Sequence, residues 1–281
     1  MGAIGRSPLV SEMIHRASAR RILRLLPGSH LLYGNGWDRV HPFDRLHGTD
    51  TSGIVPAKEL PAHEAARDHA ICYAGSQPNI LRLALSTLPD ITSCCFLDLG
   101  CGKGRALLVA SERPFASIVG VELSPALAEI AQRNADRLAL RYPSRPAVRI
   151  VVADAGSFPL PPGNLVVYLY HPFGPEVMEK VVAAVEAALA VADRVVHVIY
   201  YNPIAGQCFD SSPLLHRHFA GMLPYAAEEI GYGPDREDLV VIWQSGATTT
   251  PSSAAKARIL LDPDGLRARL SEEDPPELRG R

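Results

Sequence analysis

The segments FLDLGCGKGR at residues 96–105 and IVGVE at residues 118–122 decide the fold of this chain. The first is an apolar run that ends in three alternate glycines, and a helical pattern follows it. The second is a short apolar run that ends in a carboxylate, Glu122. This order predicts a strand, a tight turn, a helix and a second strand. Because glycine has no Cβ, a backbone of this shape can approach a charged ligand closely, and an acid ending the next strand can bind a ribose.

The alternation of strand and helix continues on both sides of this turn. We predict strands at Cys95–Leu99, Ser117–Glu122, Val148–Ala153, Leu165–Tyr170 and Arg194–Tyr201, helices at Gly104–Glu112, Pro125–Leu140, Pro175–Ala190 and Leu214–Phe219, and a final strand pair at Tyr225–Ile230 and Leu239–Gln244. Apolar strands that alternate with helices are typical of a parallel sheet covered on both faces. The expected fold class is therefore α/β: a doubly wound, mostly parallel sheet of about seven strands with a terminal antiparallel pair, plus an N-terminal helical extension.

Composition divides the chain into three parts. Residues 1–90 form an N-terminal extension and lid, and residues 91–245 form the strand–helix domain. Residues 246–281 are rich in Thr, Ser and Pro, which predicts a mobile tail with transient helix at Ala254–Leu261. Within the extension, helices are expected at Glu12–Leu26, Glu64–Cys72 and Pro78–Leu88.

The bulk composition is that of an ordinary globular protein. Of 281 residues, 47% are apolar and 21% charged, and the net charge of −2 gives no reason to expect nucleic-acid binding. No stretch approaches eighteen apolar residues, so no transmembrane segment is expected. Five cysteines without a C-x-x-C pair or a signal-peptide pattern predict a cytoplasmic location. The Arg-rich segment Glu12–Leu26 fits either a docked helix with a solvated face or a contact with a membrane surface or an acidic partner.

The charge inside the glycine turn distinguishes three classes of nucleotide ligand. A P-loop would need G-x-x-x-x-G-K followed by Ser or Thr, and Lys103 is not placed for that. A dinucleotide fold wants G-x-G-x-x-G, but the third glycine here is Gly104. The actual pattern is D-x-G-x-G-x-G, in which Asp98 would repel a pyrophosphate and attract the ammonium and sulfonium of S-adenosylmethionine. Glu122 lies at the spacing that ribose recognition requires.

At this point the chain resembles the class I, seven-strand methyltransferases that use S-adenosylmethionine. Residues 96–105 resemble their first motif, residues 119–122 their acidic second motif, and VVADA at 151–155 their third. The resemblance covers residues 91–245. It implies that the cofactor contacts Asp98, Gly100, Cys101, Gly102, Gly104, Glu122, Leu123, Asp154, Ala155 and Tyr170. Within this set Asp98 and Gly100 would line the methionine end, Glu122 would bind the ribose and Asp154 the adenine, unless Asp154 only forms a turn.

The acceptor side of such an enzyme lies at the end of the fourth strand, which here reads YLYHPFG at residues 168–174. Amine methylators often place Asn or Asp, then Pro, then an aromatic residue at this point. This chain keeps Pro172 and Phe173 but has His171 in place of the amide. His171 is either a base that deprotonates the acceptor or a residue that shapes the turn. Tyr73, in the predicted lid, and Phe173 complete the set of candidate catalytic residues.

The resemblance implies methyl transfer by in-line displacement, which needs alignment and water exclusion but no metal. The expected acceptor is a protein side-chain amine, first of all lysine, because the chain combines an N-terminal lid, Arg105 after the last glycine, and a Pro-aromatic pair after strand four. Alternatives are a small metabolite as acceptor and, in another class, a nucleotide-binding module without catalysis. Nucleic acid ranks behind both acceptors.

Overall fold

A computed structural model of the chain describes residues 39–55, 73–170, 173–233, 235–246, 257–263 and 265–271. The helices predicted at Glu12–Leu26 and Glu64–Cys72 lie outside the described residues, and so does the candidate base His171. None of the helices in these ranges is long and apolar enough to cross a membrane. The cytoplasmic location stays a prediction.

Eleven strands and six helices organise the described residues. The strands are β1 Ile54–Val55, β2 Tyr73–Ala74, β3 Cys94–Leu99, β4 Ser117–Glu122, β5 Val148–Val152, β6 Asn164–Tyr170, β7 Val196–Tyr201, β8 Leu215–Pro224, β9 Glu237–Ser245, β10 Ile259–Leu261 and β11 Ala268–Leu270. The helices are α1 Pro42–His47, α2 Pro78–Ser86, α3 Arg105–Ala110, α4 Pro125–Arg141, α5 Pro175–Val191 and α6 Gln207–Asp210.

Seven of these strands form one sheet in the order β5-β4-β3-β6-β7-β9-β8. Strands β3 to β7 are parallel, whereas β9 runs antiparallel to both β7 and β8. This confirms the predicted doubly wound sheet with a terminal antiparallel pair. The strand order reverses at β3, which has β4 on one side and β6 on the other. In open α/β sheets, ligands bind at such a switch point, outside the carboxyl ends of the strands.

The two faces of the sheet carry separate apolar cores. Helices α2, α3 and α4 cover one face, where Leu81, Leu107 and Leu138 join the cluster that contains Phe96. Helices α5 and α6 cover the other face, where the cluster includes Trp243. We call these the α3 face and the α5 face. Because successive strand residues point to opposite faces, the α3 face also receives the even-numbered residues of β3 and β6.

The prediction for the segment between β7 and β9 was wrong. Leu214–Phe219 was expected to be a helix, but Leu215–Pro224 forms the edge strand β8, which pairs along its length with Glu237–Ser245. The expected strand Tyr225–Ile230 is instead a loop with one 3-10 turn at Ala227–Glu229. The polar run at residues 216–218 is only partly buried or exposed, as an edge strand allows, and a bulge interrupts the alternation there.

Part of the predicted C-terminal tail is also structured differently. Ile259–Leu261, expected to be transient helix, pairs antiparallel with Ala268–Leu270 in a hairpin. Ala268 is buried in the core of the α5 face, and Ile259 packs against the same core. The helix expected to reach Leu261 is therefore a strand at Ile259–Leu261, while the mobility of the tail and the three-part division of the chain stay predictions.

Candidate functional site

The glycine turn joins β3 to α3 in a backbone conformation that a Cβ atom disfavours. Gly100, Gly102 and Gly104 have φ of 84°, 54° and 85°, in the left-handed region that L-residues rarely adopt. The backbone N–H groups of Gly100 and Cys101 both donate to the carbonyl of Val121, at 2.9 and 3.0 Å. These bonds tie the turn to β4 and leave its outer side at the switch point of the sheet.

Glu122 is buried at the end of β4 and binds the turn directly. Its Oε2 accepts from the N–H of Gly102 and its Oε1 from the N–H of Ser124, each at 2.8 Å. Burial raises the pKa of Glu122, although these backbone donors partly offset that rise. A carboxylate can accept about four hydrogen bonds, so ribose hydroxyls can share it with the backbone.

Asp98 is the second buried carboxylate of the site. It is 3% exposed, on β3, where its register partners are Gly120 on β4 and Tyr168 on β6. Burial, and after it the charge of Glu122, raises the pKa of Asp98 well above its usual range. Within the described ranges no Lys or Arg forms an ion pair with Asp98. Two buried carboxylates near one turn fit a cationic ligand, as the sequence pattern predicted.

Cys101 serves the packing of the turn. Its Sγ would lie 2.8 Å from a Cβ on Gly120, and Leu107 would lie closer still, so only glycine fits at position 120 of β4. Burial also raises the pKa of the Cys101 thiol well above its usual range. Cys101 is therefore a neutral thiol between the turn and β4. The acid of the IVGVE segment could be recognised from the sequence, whereas this steric requirement at Gly120 could not.

The predicted adenine residues lie beside the end of β5. Asp154 is exposed, and its Oδ1 accepts from the N–H of Gly156 at 2.9 Å. Ala155 is buried, and Leu123 is half-buried after β4. Asp154 therefore does form a turn in this structure, as the alternative interpretation held. Its contact with adenine stays a prediction.

The acceptor-side residues fall on different faces of the sheet. Tyr170 ends β6 on the α3 face, and its ring stacks on that of Tyr201 with centroids 4.2 Å apart. The hydroxyl of Tyr201 in turn donates to Asp238 Oδ2 at 2.7 Å. Phe173, in contrast, packs against the core of the α5 face. The structure thus brings Tyr170, but not Phe173, to the side of the sheet that carries Asp98.

Tyr73 lies directly on the glycine turn. A Cβ built on Gly102 would be only 2.3 Å from the Tyr73 ring, so the ring contacts the bare backbone of the turn. The Tyr73 hydroxyl donates to the carbonyl of Thr51 at 2.7 Å, and burial raises its pKa. Tyr73 is thus a neutral phenol that covers the turn. Its catalytic role stays a prediction.

The lid segment, residues 41–55 and 73–77, is attached to the turn by two basic side chains. Lys103 donates to Asp50 Oδ1 at 3.0 Å and to the carbonyl of Ser52 at 2.7 Å. Arg105 is 4% exposed and donates to the side chain and the carbonyl of Thr51, both at 2.7 Å. A lid near the site could be predicted from the sequence, but these bonds could not, because they join residues more than fifty positions apart.

Asn134 of α4 completes this attachment, although the motifs in the sequence do not point to it. Its Oδ1 accepts from the N–H of Asp50 at 2.8 Å, while its Nδ2 donates to the carbonyls of Asp50 and Lys103 at 2.9 and 3.0 Å. The one available signal was a polar residue on the buried face of an otherwise amphipathic helix.

No group of three or more His, Cys, Asp or Glu side chains in the described ranges is arranged to hold a metal ion.

The central part of the chain is similar to a family of known proteins. Residues 96–191 match the family described as "Methyltransferase domain". This match covers about a third of the chain and includes the glycine turn, Glu122 and Asp154. Together with the seven-strand sheet, it confirms the resemblance, seen in the sequence, to the class I methyltransferases that use S-adenosylmethionine. The comparisons do not confirm a place in the protein-lysine subgroup.

Relatives of the methyltransferase domain match over short stretches. The release factor glutamine methyltransferase of Escherichia coli (strain K12) is 44% identical over 101 residues, which are 36% of this chain and 34% of that protein. Its namesake from Burkholderia pseudomallei (strain K96243) is 43% identical over 60 residues, 21% of each chain. The chain thus spans about a third or less of these relatives. Among solved structures, the precorrin-6y C5,15-methyltransferase of Geobacter metallireducens GS-15 is 15% identical, with a TM-score of 0.44, over 69% of this chain and all of that one.

Proposed function

We propose that this chain is an S-adenosylmethionine-dependent methyltransferase that releases S-adenosylhomocysteine. The observation that carries the proposal is the pair of buried carboxylates, Asp98 and Glu122, around a positive-φ glycine turn at the switch point of the sheet. Bound there, the cofactor supplies an electrophilic methyl group on a sulfonium. Asp98 faces its cationic methionine end, Glu122 shares its oxygens with the ribose, and Asp154 with Ala155 borders the adenine.

The remaining task of the protein is to align the acceptor and exclude water. Tyr73 covers the turn from the lid segment, and Tyr170 closes the end of β6 on the same face of the sheet. We assign no proton transfer to Tyr73, because burial raises its pKa and keeps the phenol neutral. If the acceptor must lose a proton, His171 is the proposed base.

The proposed acceptor is a nitrogen on a protein side chain. The names of the relatives support a glutamine amide. The lid, Arg105 after the turn, and the Pro-aromatic pair after β6 support, as a sequence pattern, the lysine amine, although Phe173 itself packs on the α5 face. The two differ in chemistry: a lysine ammonium, with a pKa near 10.4, must lose a proton before it attacks, whereas the amide is neutral and needs activation.

Binding of S-adenosylhomocysteine, measured by calorimetry, tests the cofactor half of the proposal. We expect Asp98→Asn to weaken the binding and Asp193→Asn, a change at an exposed aspartate, to leave it unchanged. Absence of binding to the unmodified protein at millimolar ligand would contradict the proposed function.

Methylation of a cell extract with labelled cofactor tests the acceptor half. After size filtration and protease digestion, mass spectrometry of the labelled peptides distinguishes methyl-lysine from methyl-glutamine. Label in the protein fraction supports the proposal. Label that passes the filter instead indicates a small metabolite, and cofactor binding without any transfer indicates a module without catalysis.

A further inference from the structure

Arg105 follows the glycine turn, and its guanidinium donates hydrogen bonds to the lid segment. On the basis of the proposed function, we propose that Arg105 is a positioning residue for the cofactor site. It holds Thr51, Thr51 holds Tyr73, and Tyr73 forms the wall that covers the turn. Turn and lid thereby make one binding site, and Arg105 acts on the cofactor through Tyr73.

The guanidinium of Arg105 is surrounded by acceptors of the lid segment. Its Nε donates to Thr51 Oγ1 and its Nη2 to the Thr51 carbonyl, both at 2.7 Å. Its Nη1 donates to the carbonyls of Gly75 and Ser76, both at 3.2 Å. The fit is tight, because a Cβ on Gly75 would lie 2.6 Å from Arg105 Cζ. Arg105 therefore fixes the two stretches of the lid segment at the same time.

Asp44 balances the buried charge of Arg105. Its Oδ2 lies 3.8 Å from Arg105 Nη2, and both side chains are almost fully buried. Burial alone would raise the pKa of Asp44, but the hydroxyls of Ser52, Thr49 and Thr51, together with Arg105, hold it below its usual value. Both partners of this pair are therefore charged. Removing one partner leaves the other charge buried and unpaired, which is strongly unfavourable.

The carbonyl of Thr51 connects this charge to the cofactor turn. It accepts from Arg105 Nη2 and also from the Tyr73 hydroxyl, each at 2.7 Å. The Tyr73 ring then contacts Gly102, whose N–H is held by Glu122. A chain of direct contacts therefore runs from the guanidinium to the carboxylate that we assign to the ribose.

A double-mutant cycle on Arg105 and Tyr73 tests the inference, because only coupled residues give non-additive effects. The readout is the affinity for S-adenosylhomocysteine in the full chain, measured by calorimetry. We expect Arg105→Gln to weaken binding by about tenfold or more and Tyr73→Phe to weaken it less. The double variant should bind no more weakly than Arg105→Gln alone, since the Tyr73 contact is already lost.

Arg82→Gln is the matched control. Arg82 also forms a two-point ion pair, with Glu112 at 2.7 Å for both bonds, but it contacts neither the turn nor the lid segment in these bonds. This variant should lose stability without losing affinity. An Arg105→Gln variant that binds like the unmodified chain, or single effects that multiply in the double variant, would overturn the inference.

Arg105→Lys keeps the test decisive if Arg105→Gln does not fold. Lysine retains the charge for Asp44 but cannot reach both stretches of the lid segment with a planar fork. We expect intermediate affinity and faster proteolysis of the lid segment in the presence of ligand, whereas unchanged affinity would count against the inference. If the unmodified chain itself fails to bind, the proposed function fails. If it binds and the cycle is additive, only the role of Arg105 fails.

Discussion

Gly102 is the residue at which the turn, the lid segment and Glu122 meet. Its N–H donates to Glu122, its φ is 54°, and its Cα faces the Tyr73 ring. A side chain here faces two separate penalties: the left-handed backbone, which costs about 1–2 kcal/mol, and a clash with the ring. Gly102 therefore contributes a hydrogen-bond donor for Glu122, a left-handed backbone conformation and a surface without Cβ for the Tyr73 ring.

We therefore predict that Gly102→Ala lowers the free energy of unfolding and abolishes measurable binding of S-adenosylhomocysteine. Gly163→Ala is its control, because Gly163 has a φ of 79° but no atom within 4 Å of a built Cβ. Denaturant unfolding should show a loss of about 1–2 kcal/mol for the control and a larger loss for Gly102→Ala. Equal losses would mean that the Tyr73 contact is unimportant.

Glu122 lends itself to a second prediction at the residue scale. Glu122→Ala leaves the N–H groups of Gly102 and Ser124 without their carboxylate partner, at about 1–3 kcal/mol for each group that stays buried and unpaired. We expect the affinity for S-adenosylhomocysteine to fall by a similar free energy, that is by about five- to 150-fold. The control, Glu129→Ala, removes an exposed ion pair with Arg133. It should change neither the free energy of unfolding nor the affinity noticeably. Calorimetry that shows equal affinity for both variants would mean that the ribose binds elsewhere.

The elements of the central sheet could be predicted because burial on both faces makes their sequences unmistakable. In β3 all six residues are buried, and in β7 likewise. The helix α4 carries its own start signal, Ser124 before Pro125, and the Ser124 side chain does accept from the N–H of Leu127. Where a local pattern encodes the element, sequence and structure agree within one or two residues.

The elements that were predicted wrongly depend on distant contacts. Strand β8 has polar residues at 216–218 because it is the sheet edge, and only its pairing with β9 identifies it as a strand. The hairpin of β10 and β11 is held by Asn202, more than sixty residues earlier. The same reason explains the site. Asp98, the glycines and Glu122 form a local motif, whereas the bonds from Arg105 to Thr51 do not.

Asn202 offers a prediction about that hairpin. It has a φ of 52°, its Oδ1 accepts from Ala268 N–H at 2.9 Å, and its Nδ2 donates to the Leu266 carbonyl at 3.0 Å. Asn202→Ala loses both bonds and strains the backbone, so we expect the free energy of unfolding to fall by about 1–3 kcal/mol. Asn202→Gly also loses both hydrogen bonds but has no backbone strain, so its free energy of unfolding should fall less. Affinity for S-adenosylhomocysteine should stay unchanged in both, since a drop would place Asn202 in the ligand site.

At the scale of the whole molecule, Asp98 and Glu122 form an acidic pair that has no ion pair with a basic side chain among the described residues. The two basic side chains next to this pair, Lys103 and Arg105, form ion pairs with Asp50 and Asp44 of the lid segment instead. At the switch point, however, Asp98 and Glu122 have raised pKa values because both are buried, and Asp98 also because Glu122 is near. A bound ammonium would neutralise this charge. We therefore expect a ligand with an ammonium group to stabilise the fold.

This imbalance predicts how stability depends on pH. Between the unfolded pKa of a carboxyl, near 4, and the raised pKa of Asp98, the folded protein binds more protons than the unfolded chain. The contribution of Asp98 and Glu122 to stability therefore falls as the pH rises through that range. A ligand with an ammonium group favours the ionised carboxylates, so the stabilisation by saturating S-adenosylhomocysteine should grow with pH.

Thermal unfolding from about pH 5 to about pH 8 measures this growth as the difference in melting temperature with and without S-adenosylhomocysteine. Titrating groups that do not contact the ligand contribute equally to both melting temperatures and cancel. In Asp98→Asn the carboxylate is absent, and the increment in melting temperature should be smaller and nearly independent of pH. Asp193→Asn, changed at an exposed site, should behave like the unmodified protein. An increment that stays constant with pH in the unmodified protein would contradict the assignment of Asp98 to the cation, because a carboxyl with a raised pKa must lose its proton to form an ion pair with an ammonium.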